Sequence, residues 1–374
     1  MLMPDNKKTE FSDSLTQKQT DKDKDTLKDT LIIMKLIIDC LGGDNSPNAN
    51  IDGAIEALKT NPDLCLVLAG DENYIKPYIS EKLAGSADLA GRLEILHAPD
   101  IITGEDKPTD AIRLKKESSM IKSIKLLRED RSVGGIISTG ATGSLVAAAT
   151  LRIGRLENVI RPCFCPVLPT MNGGLVGICD SGANIDCSAD MLVQFAVMGS
   201  LYMSKVFNVE SPRVALLNVG TESEKGDDLR RETYERLSRL PFINFVGNME
   251  SRDLLSGKYD LVVCDGFSGN VLIKSTEGTA LQLLKKIKKD ISSKFIYRLG
   301  ALFMYKMFME EKEFMNYQNY GGSVLLGTSR TIVKGHGSGD AKAVSVCINQ
   351  ACRMESTGLS AAIEETLEKL NAVT

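Results

Sequence analysis

Short apolar runs bounded by turn residues recur along the chain at 35–39, 64–69, 93–97, 135–138, 175–180, 213–219, 243–246 and 259–264, each the length of a buried strand. Between them the apolar positions fall on a helical period, as at 51–58, 111–127, 145–153, 191–206 and 230–240. Strands alternating with helices predict βαβ units, hence an α/β protein with a doubly wound, mostly parallel sheet. Polar, glycine-bearing turns close several runs, at 39–45, 138–144, 180–186, 218–222, 265–270 and 335–340. In a parallel sheet these turns converge on one crevice. Strand, glycine turn, helix is also how such folds present N–H groups to an anion. The pattern predicts an enzyme for a phosphorylated or otherwise anionic small substrate.

The first thirty residues break this rhythm. They carry seven acidic and six basic side chains but only six apolar ones, too few to offset the entropy of ordering, so disorder is expected over 1–33. The segment also lacks the apolar stretch of a signal peptide. Met34 opens a natural first strand and could itself start translation. No fixed-period repeat or glycine-rich linker divides 34–374, which favours one mixed domain. From 284 to 314, cations (Lys285 to Lys306) interleave with apolar residues that include Phe295, Leu302, Phe303, Met307 and Phe308. No uninterrupted run approaches the about 20 residues of a spanning helix. The first half of this stripe suits a subunit interface. The second suits a helix lying among anionic headgroups.

Composition then narrows the classes. With 374 residues, 43% hydrophobic, the chain can bury a large core. A net charge of −4 without a basic block argues against nucleic acid. Nine scattered cysteines, mostly inside apolar runs, point to a reducing cytoplasm. Cys163 and Cys165 lack the partners of a metal site and read as structural. No dinucleotide fingerprint, P-loop or nucleophile elbow is present, so no cofactor, no metal and no serine acyl-enzyme is expected.

The turns supply candidate chemistry. After the first strand, Gly43 and Asp44 either bind a ligand or cap the next helix, and both readings fit. Ser138, Gly140, Thr142 and Gly143 lead into an apolar helix with more hydroxyls and glycines than capping needs. His97 reads as a satisfied strand-end residue, whereas His336, in a turn too polar for a core, reads as a site residue. Arg113 and Lys116 would share one helical face leading to Ser119, either in the site or merely solvated. Arg161, just before an apolar run, calls for a carboxylate or phosphate partner. The turn from Asp265 through Gly266, Gly269 and Asn270 to Lys274 is the strongest candidate for an oxyanion cradle.

These motifs, taken in order, resemble the bacterial phosphate acyltransferases of phospholipid synthesis. The resemblance runs from about Met34 to the C-terminus. It rests on Asp39-Cys-Leu-Gly-Gly-Asp-Asn45, Arg113-x-Lys-Lys-x-Ser-Ser-Met120, Ser138-x-Gly-x-Thr-Gly143, Arg161-Pro162 and Asp180-x-Gly-Ala-Asn184-Ile-Asp186. Asn218-Val-Gly220-Thr221-Glu222, Asp265-Gly-Phe-Ser-Gly-Asn-Val271, Tyr320-Gly-Gly322 and His336-Gly-Ser338 continue it. Ala141, Ser181, Cys40-Leu41 and Gly335 depart from the usual residues by small or apolar exchanges. The resemblance implies transfer of an acyl group from acyl carrier protein to inorganic phosphate by an enzyme without a cofactor. His336, Asn270, Lys274 and Asp265 would act in catalysis. The remaining turn residues, with Asn184, Asn218, Gly220, Thr221 and Glu222, would bind substrate. It further implies a three-layer α/β/α fold similar to isopropylmalate dehydrogenase and phosphotransacetylase, Rossmann-like, with a long helical hairpin inserted at about 270–318. A cytoplasmic homodimer in peripheral contact with anionic membrane completes the expectation. The rival readings are a decarboxylating dehydrogenase of similar fold and a non-catalytic, membrane-recruited scaffold.

Overall fold

A computed structural model describes residues 34–314 and 316–373. The expectation about residues 1–33 lies outside the described residues. In chain order the strands are β1 (Met34–Asp39), β2 (Leu64–Gly70), β3 (Leu93–His97), β4 (Val133–Ser138), β5 (Cys163–Cys165), β6 (Val167–Pro169), β7 (Leu175–Cys179), β8 (Val214–Asn218), β9 (Phe245–Glu250), β10 (Leu261–Val263), β11 (Ser323–Leu326) and β12 (Thr331–Lys334). They form two sheets, not the one expected. The larger has the order β3-β2-β1-β4-β12-β11-β5 and the smaller β6-β7-β10-β8-β9. Neighbours are parallel except where β11 meets β12 and β5, and where β6 meets β7. The chain changes sheets at Pro166, the one residue between β5 and β6. Without an N–H, proline cannot extend a ladder.

Helices cover the sheets in a three-layer α/β/α arrangement, so the strands are buried on both faces and alternate between cores. Leu36 and Ile38 face one cluster and Ile37 another. In the smaller sheet Val214, Leu216, Leu261 and Val263 join the first cluster, while Val176, Ile178, Ala215 and Val262 face a third. The first cluster thus joins inner faces of both sheets with helices Asn48–Thr60, Ala189–Phe207, Ala341–Ser356 and Leu359–Val373. The strands missed by pattern, β5, β6, β11 and β12, are three or four residues long and offer no period to read.

Two helical expectations change. The run 111–127 is two helices, Pro108–Leu114 and Ser119–Glu129. Ser118, extended, breaks it and caps the second helix by accepting from the Ile121 amide. Arg113 and Lys116 therefore share no helical face. The segment after Asp265 is three helices in series, Gly266–Ser293, Phe295–Phe303 and Tyr305–Phe314, with Lys294 extended between the first two. The first of these begins jammed against the smaller sheet: a Cβ at Gly269 would lie 1.9 Å from the Asp180 carbonyl oxygen. Gly269→Ala is expected to destabilise the fold by about 3 kcal/mol. An unshifted urea midpoint would show that the helix can move away at no cost.

Candidate active site

Strand register sets Asp39, Ser138 and Lys334 side by side at the carboxyl edge of β1, β4 and β12. The chain turns to opposite sides of the sheet here, the place where open α/β sheets form their crevice. Asp39 is buried and accepts hydrogen bonds from Ser119 Oγ at 2.5 Å and Ser138 Oγ at 2.6 Å. Burial pushes its carboxyl above the ordinary value, while the two hydroxyls and Lys334 pull it back. Lys334 Nζ donates to the carbonyls of Thr139, at 3.3 Å, and Gly335. Burial brings its ammonium down to about 8, against the pull of Cys347, Asp39 and Asp44.

The turn beyond Lys334 locks onto the turn beyond β1. The Asp44 amide donates to the Gly337 carbonyl at 2.7 Å and Asn45 Nδ2 to the Ser338 carbonyl at 3.0 Å. Gly43 has φ +97°, and a Cβ there would meet Thr139 Oγ1 at 2.7 Å, so the junction requires glycine. His336 Nδ1 pairs with Ser338 Oγ at 2.8 Å. Burial and then the Lys334 cation depress its pKa, with Asp44 opposing, which favours the neutral imidazole.

The smaller sheet contributes the other wall. Asp180, directly after β7, is fully buried and its carboxylate accepts from the amides of Phe164, Ser181, Gly182, Ala183 and Asn184 and from Asn184 Nδ2. Asp265 caps the helix Gly266–Ser293 through the Ser268 amide at 2.8 Å and pairs with Arg230. Three amides of this turn are already engaged, that of Ser268 by the cap. The Gly266 amide donates to the Asn184 carbonyl at 2.7 Å and the Gly269 amide to the Asp265 carbonyl at 3.0 Å. The glycine amides are therefore not free to form the expected cradle: both glycines serve close packing, and Asn270 is the residue of this turn that lines the cleft.

Between the two sheets lies a cleft of about 350 Å3. Thr142, Asn270, Lys274, Lys334 and His336 line its polar side; Phe164, Val167, Leu168 and Ile273 line its apolar side. Thr142 begins the helix Thr142–Ala148, which no side chain caps. Cations, an amide and an open helix end suit an anion, and the apolar wall suits a hydrocarbon.

Of the residues singled out by sequence, Thr142, Asn270, Lys274 and His336 line the cleft. Gly43, Asp44, Ser119, Ser138, Asn184, Asp265, Gly266 and Gly269 stand behind it as framework, and the Gly140 amide is held by Ser138 Oγ at 3.1 Å. Gly143 packs toward Pro108. Arg113, Lys116 and Arg161 are exposed outside the cleft lining, Arg113 pairing with Asp110 at 3.4 Å. Asn218 closes its own loop through the Lys225 carbonyl at 3.0 Å; Gly220, Thr221 and Glu222 lie in that loop, apart from the cleft. Sequence reasoning missed Lys334 and Arg230. A cation ending an apolar run just before the Gly-His-Gly turn was the available signal for Lys334.

The fatty acid synthesis protein family matches residues 34–362, and the chain belongs to it, among the bacterial phosphate acyltransferases. It is an acyltransferase. Phosphate acyltransferase of Clostridioides difficile (strain 630) is 39% identical over 338 residues, covering 90% of this chain and 97% of that protein. The Bacillus pumilus (strain SAFR-032) phosphate acyltransferase is 42% identical over 336 residues, covering 90% and 98%. Among solved structures, a phosphotransacetylase from Streptococcus pyogenes superposes with a TM-score of 0.56 at 16% identity, over 86% of this chain and 94% of that one. EutD phosphotransacetylase from Staphylococcus aureus gives 0.52 at 14% identity, over 91% and 96%. These two likenesses are likenesses of fold.

Lys334 allows a check of the electrostatics. Its folded pKa, about 8, lies below the ordinary 10.5, so between these values the unfolded chain binds more protons. Stability from this group therefore rises with pH across that window, and the buried charge costs stability below it. Lys334→Met is expected to hold or raise the thermal midpoint at pH 7 and to remove the gain between pH 8 and 10.5. A large fall in midpoint at pH 7 would mean that the ammonium is a structural tie.

Proposed function

We propose that the protein transfers the acyl group of an acyl-[acyl carrier protein] thioester to inorganic phosphate, releasing acyl phosphate for phospholipid synthesis and the free carrier. One observation carries the reading: Lys334, Lys274, Asn270 and the uncapped start of helix Thr142–Ala148 face an apolar wall across one cleft. The ammonium groups and helix end would hold the phosphate dianion, and the wall would take the acyl and pantetheine chains. A phosphate oxygen adds to the thioester carbonyl, and the tetrahedral oxyanion collapses with loss of the thiolate. Holding both reactants together supplies most of the acceleration, Asn270 Nδ2 stabilises the oxyanion, and the neutral His336 orients the phosphate. No enzyme nucleophile is needed. The names of the relatives support the same chemistry.

Mixing the protein with phosphate and an acyl thioester should release thiol in proportion to phosphate, without added nucleotide or metal. Asn270→Ala should lower turnover by two to three decades, the usual cost of one oxyanion donor. Thiol release indifferent to phosphate would sink the reading, and strict dependence on NAD would instead favour the dehydrogenase. No release at all would leave the scaffold.

We further infer a cytoplasmic homodimer in peripheral contact with anionic membrane. The core shared by the two sheets supports one domain over 34–374, with the helices between Gly266 and Phe314 as an inserted hairpin. Phe295, Leu302 and Phe303 are 75%, 69% and 83% exposed beside Lys294, Arg298 and Lys306. Among the described residues no helix is long and apolar enough to cross a membrane. Replacing Phe295, Leu302 and Phe303 by Ser should abolish cosedimentation with anionic liposomes while turnover in solution persists. A variant that becomes monomeric or inactive would assign these side chains to the subunit interface.

A further inference from the structure

We propose that Glu277 carries the proton from the attacking phosphate to the departing thiolate. The inference rests on the acyl-transfer reading above and goes beyond it to the proton path. Asn270, Ile273, Lys274 and Glu277 occupy positions i, i+3, i+4 and i+7 of helix Gly266–Ser293, and all four line the cleft. Glu277 is half-buried there, and its carboxyl makes no hydrogen bond and no ion pair within 4 Å among the described residues. A solvated carboxylate with only a surface role would sit on the outer face of this long helix. This one is turned to the reactants.

Its surroundings shift its carboxyl toward easier protonation. Burial raises its pKa, opposed by the charge of Lys274 one turn away. A phosphate dianion entering the cleft would raise it further. The other titratable groups facing the cleft are Lys274, Lys334, His336 and Cys347, whose thiol burial pushes up to about 12. Lys334 already donates to two carbonyls, and the His336 imidazole is held neutral and engaged with Ser338. The Glu277 carboxyl, without such a partner among the described residues, is placed to take a proton from one atom and give it to another.

The step balances without an outside reagent. A phosphate oxygen forms a bond to the carbonyl carbon, the carbon–sulfur bond breaks and its electron pair goes to sulfur. The Glu277 carboxylate takes the hydroxyl proton of the phosphate and passes it to sulfur, giving the thiol. The sum is thioester plus hydrogen phosphate giving acyl phosphate plus thiol.

The dependence on the leaving group tests this. An alkyl thiolate needs the proton; an aryl thiolate, whose thiol is a much stronger acid, leaves without it. For Glu277→Gln, phosphate-dependent turnover of an alkyl acyl thioester should fall by about two to three decades. Turnover of the matching aryl thioester should stay within a few-fold, with the KM for phosphate unchanged. Equal losses on both thioesters would overturn the proposal and make Glu277 a binding or packing residue. A wild-type protein with no phosphate-dependent turnover of either thioester would instead overturn the underlying acyl-transfer reading. Should Glu277→Gln not fold, Glu277→Asp is measured in the same way: unequal losses support the relay and equal losses refute it.

Discussion

A buried carboxylate with no cation beside it among the described residues organises the smaller-sheet side of the cleft. Asp180 gathers four successive amides of its own turn, from Ser181 to Asn184, and a fifth from Phe164 in the larger sheet. Unpaired, such a charge would cost several kcal/mol to bury, so the turn is obliged to wrap it. Everything nearby inherits that geometry. The wrapped turn ends at the Asn184 carbonyl, which receives the Gly266 amide, and the Asp180 carbonyl is what Gly269 packs against. The helix that follows is thereby fixed in position and rotation, and with it the face bearing Asn270, Lys274 and Glu277.

The larger sheet solves the opposite problem. Lys334 is partly buried with carbonyls rather than a carboxylate as its hydrogen-bond partners, and Asp39 satisfies itself with two serine hydroxyls. Two opposite charges lie near one another without forming an ion pair. A paired lysine would have its charge already neutralised. One held only by carbonyl dipoles keeps a field that an incoming anion can complete.

What could be read from the chain follows the range of the forces involved. Strand–turn–helix alternation is local, so the order of the longer strands and the turns bearing His336 and Asn270 were legible. The division into two sheets was not, since it depends on Cys163–Cys165 and Val167–Pro169, each too short to show a period. Arg113 and Lys116 fall on one predicted helix because Leu114 and Ile121, two turns apart, keep one phase across the polar stretch 115–118, and a single capping serine resets it. Pattern alone leaves the amides of 266–270 free, because their acceptors, at Asn184 and within the turn itself, are set by tertiary contact and by the cap at Asp265. Lys334 gives a weak signal, since a lysine at a strand end ordinarily points to water.

The crossing at Pro166 has a mechanical meaning. Domains that close on a ligand rotate about residues free to change φ and ψ. Here the first crossing between sheets, from β5 to β6, is one proline, its φ fixed by its ring. Cys165 before it is clamped in the ladder with Val324, and Val167 after it in the ladder with Gly177. With φ fixed and the Pro166 carbonyl accepting from the Ile178 amide at 3.1 Å, this seam has little torsional freedom to swing one sheet against the other, and Phe164, Pro166, Val167 and Leu168 around it all line the cleft. The seam is a weld at the base of the cavity, so any breathing that admits a long acyl chain belongs to the rim.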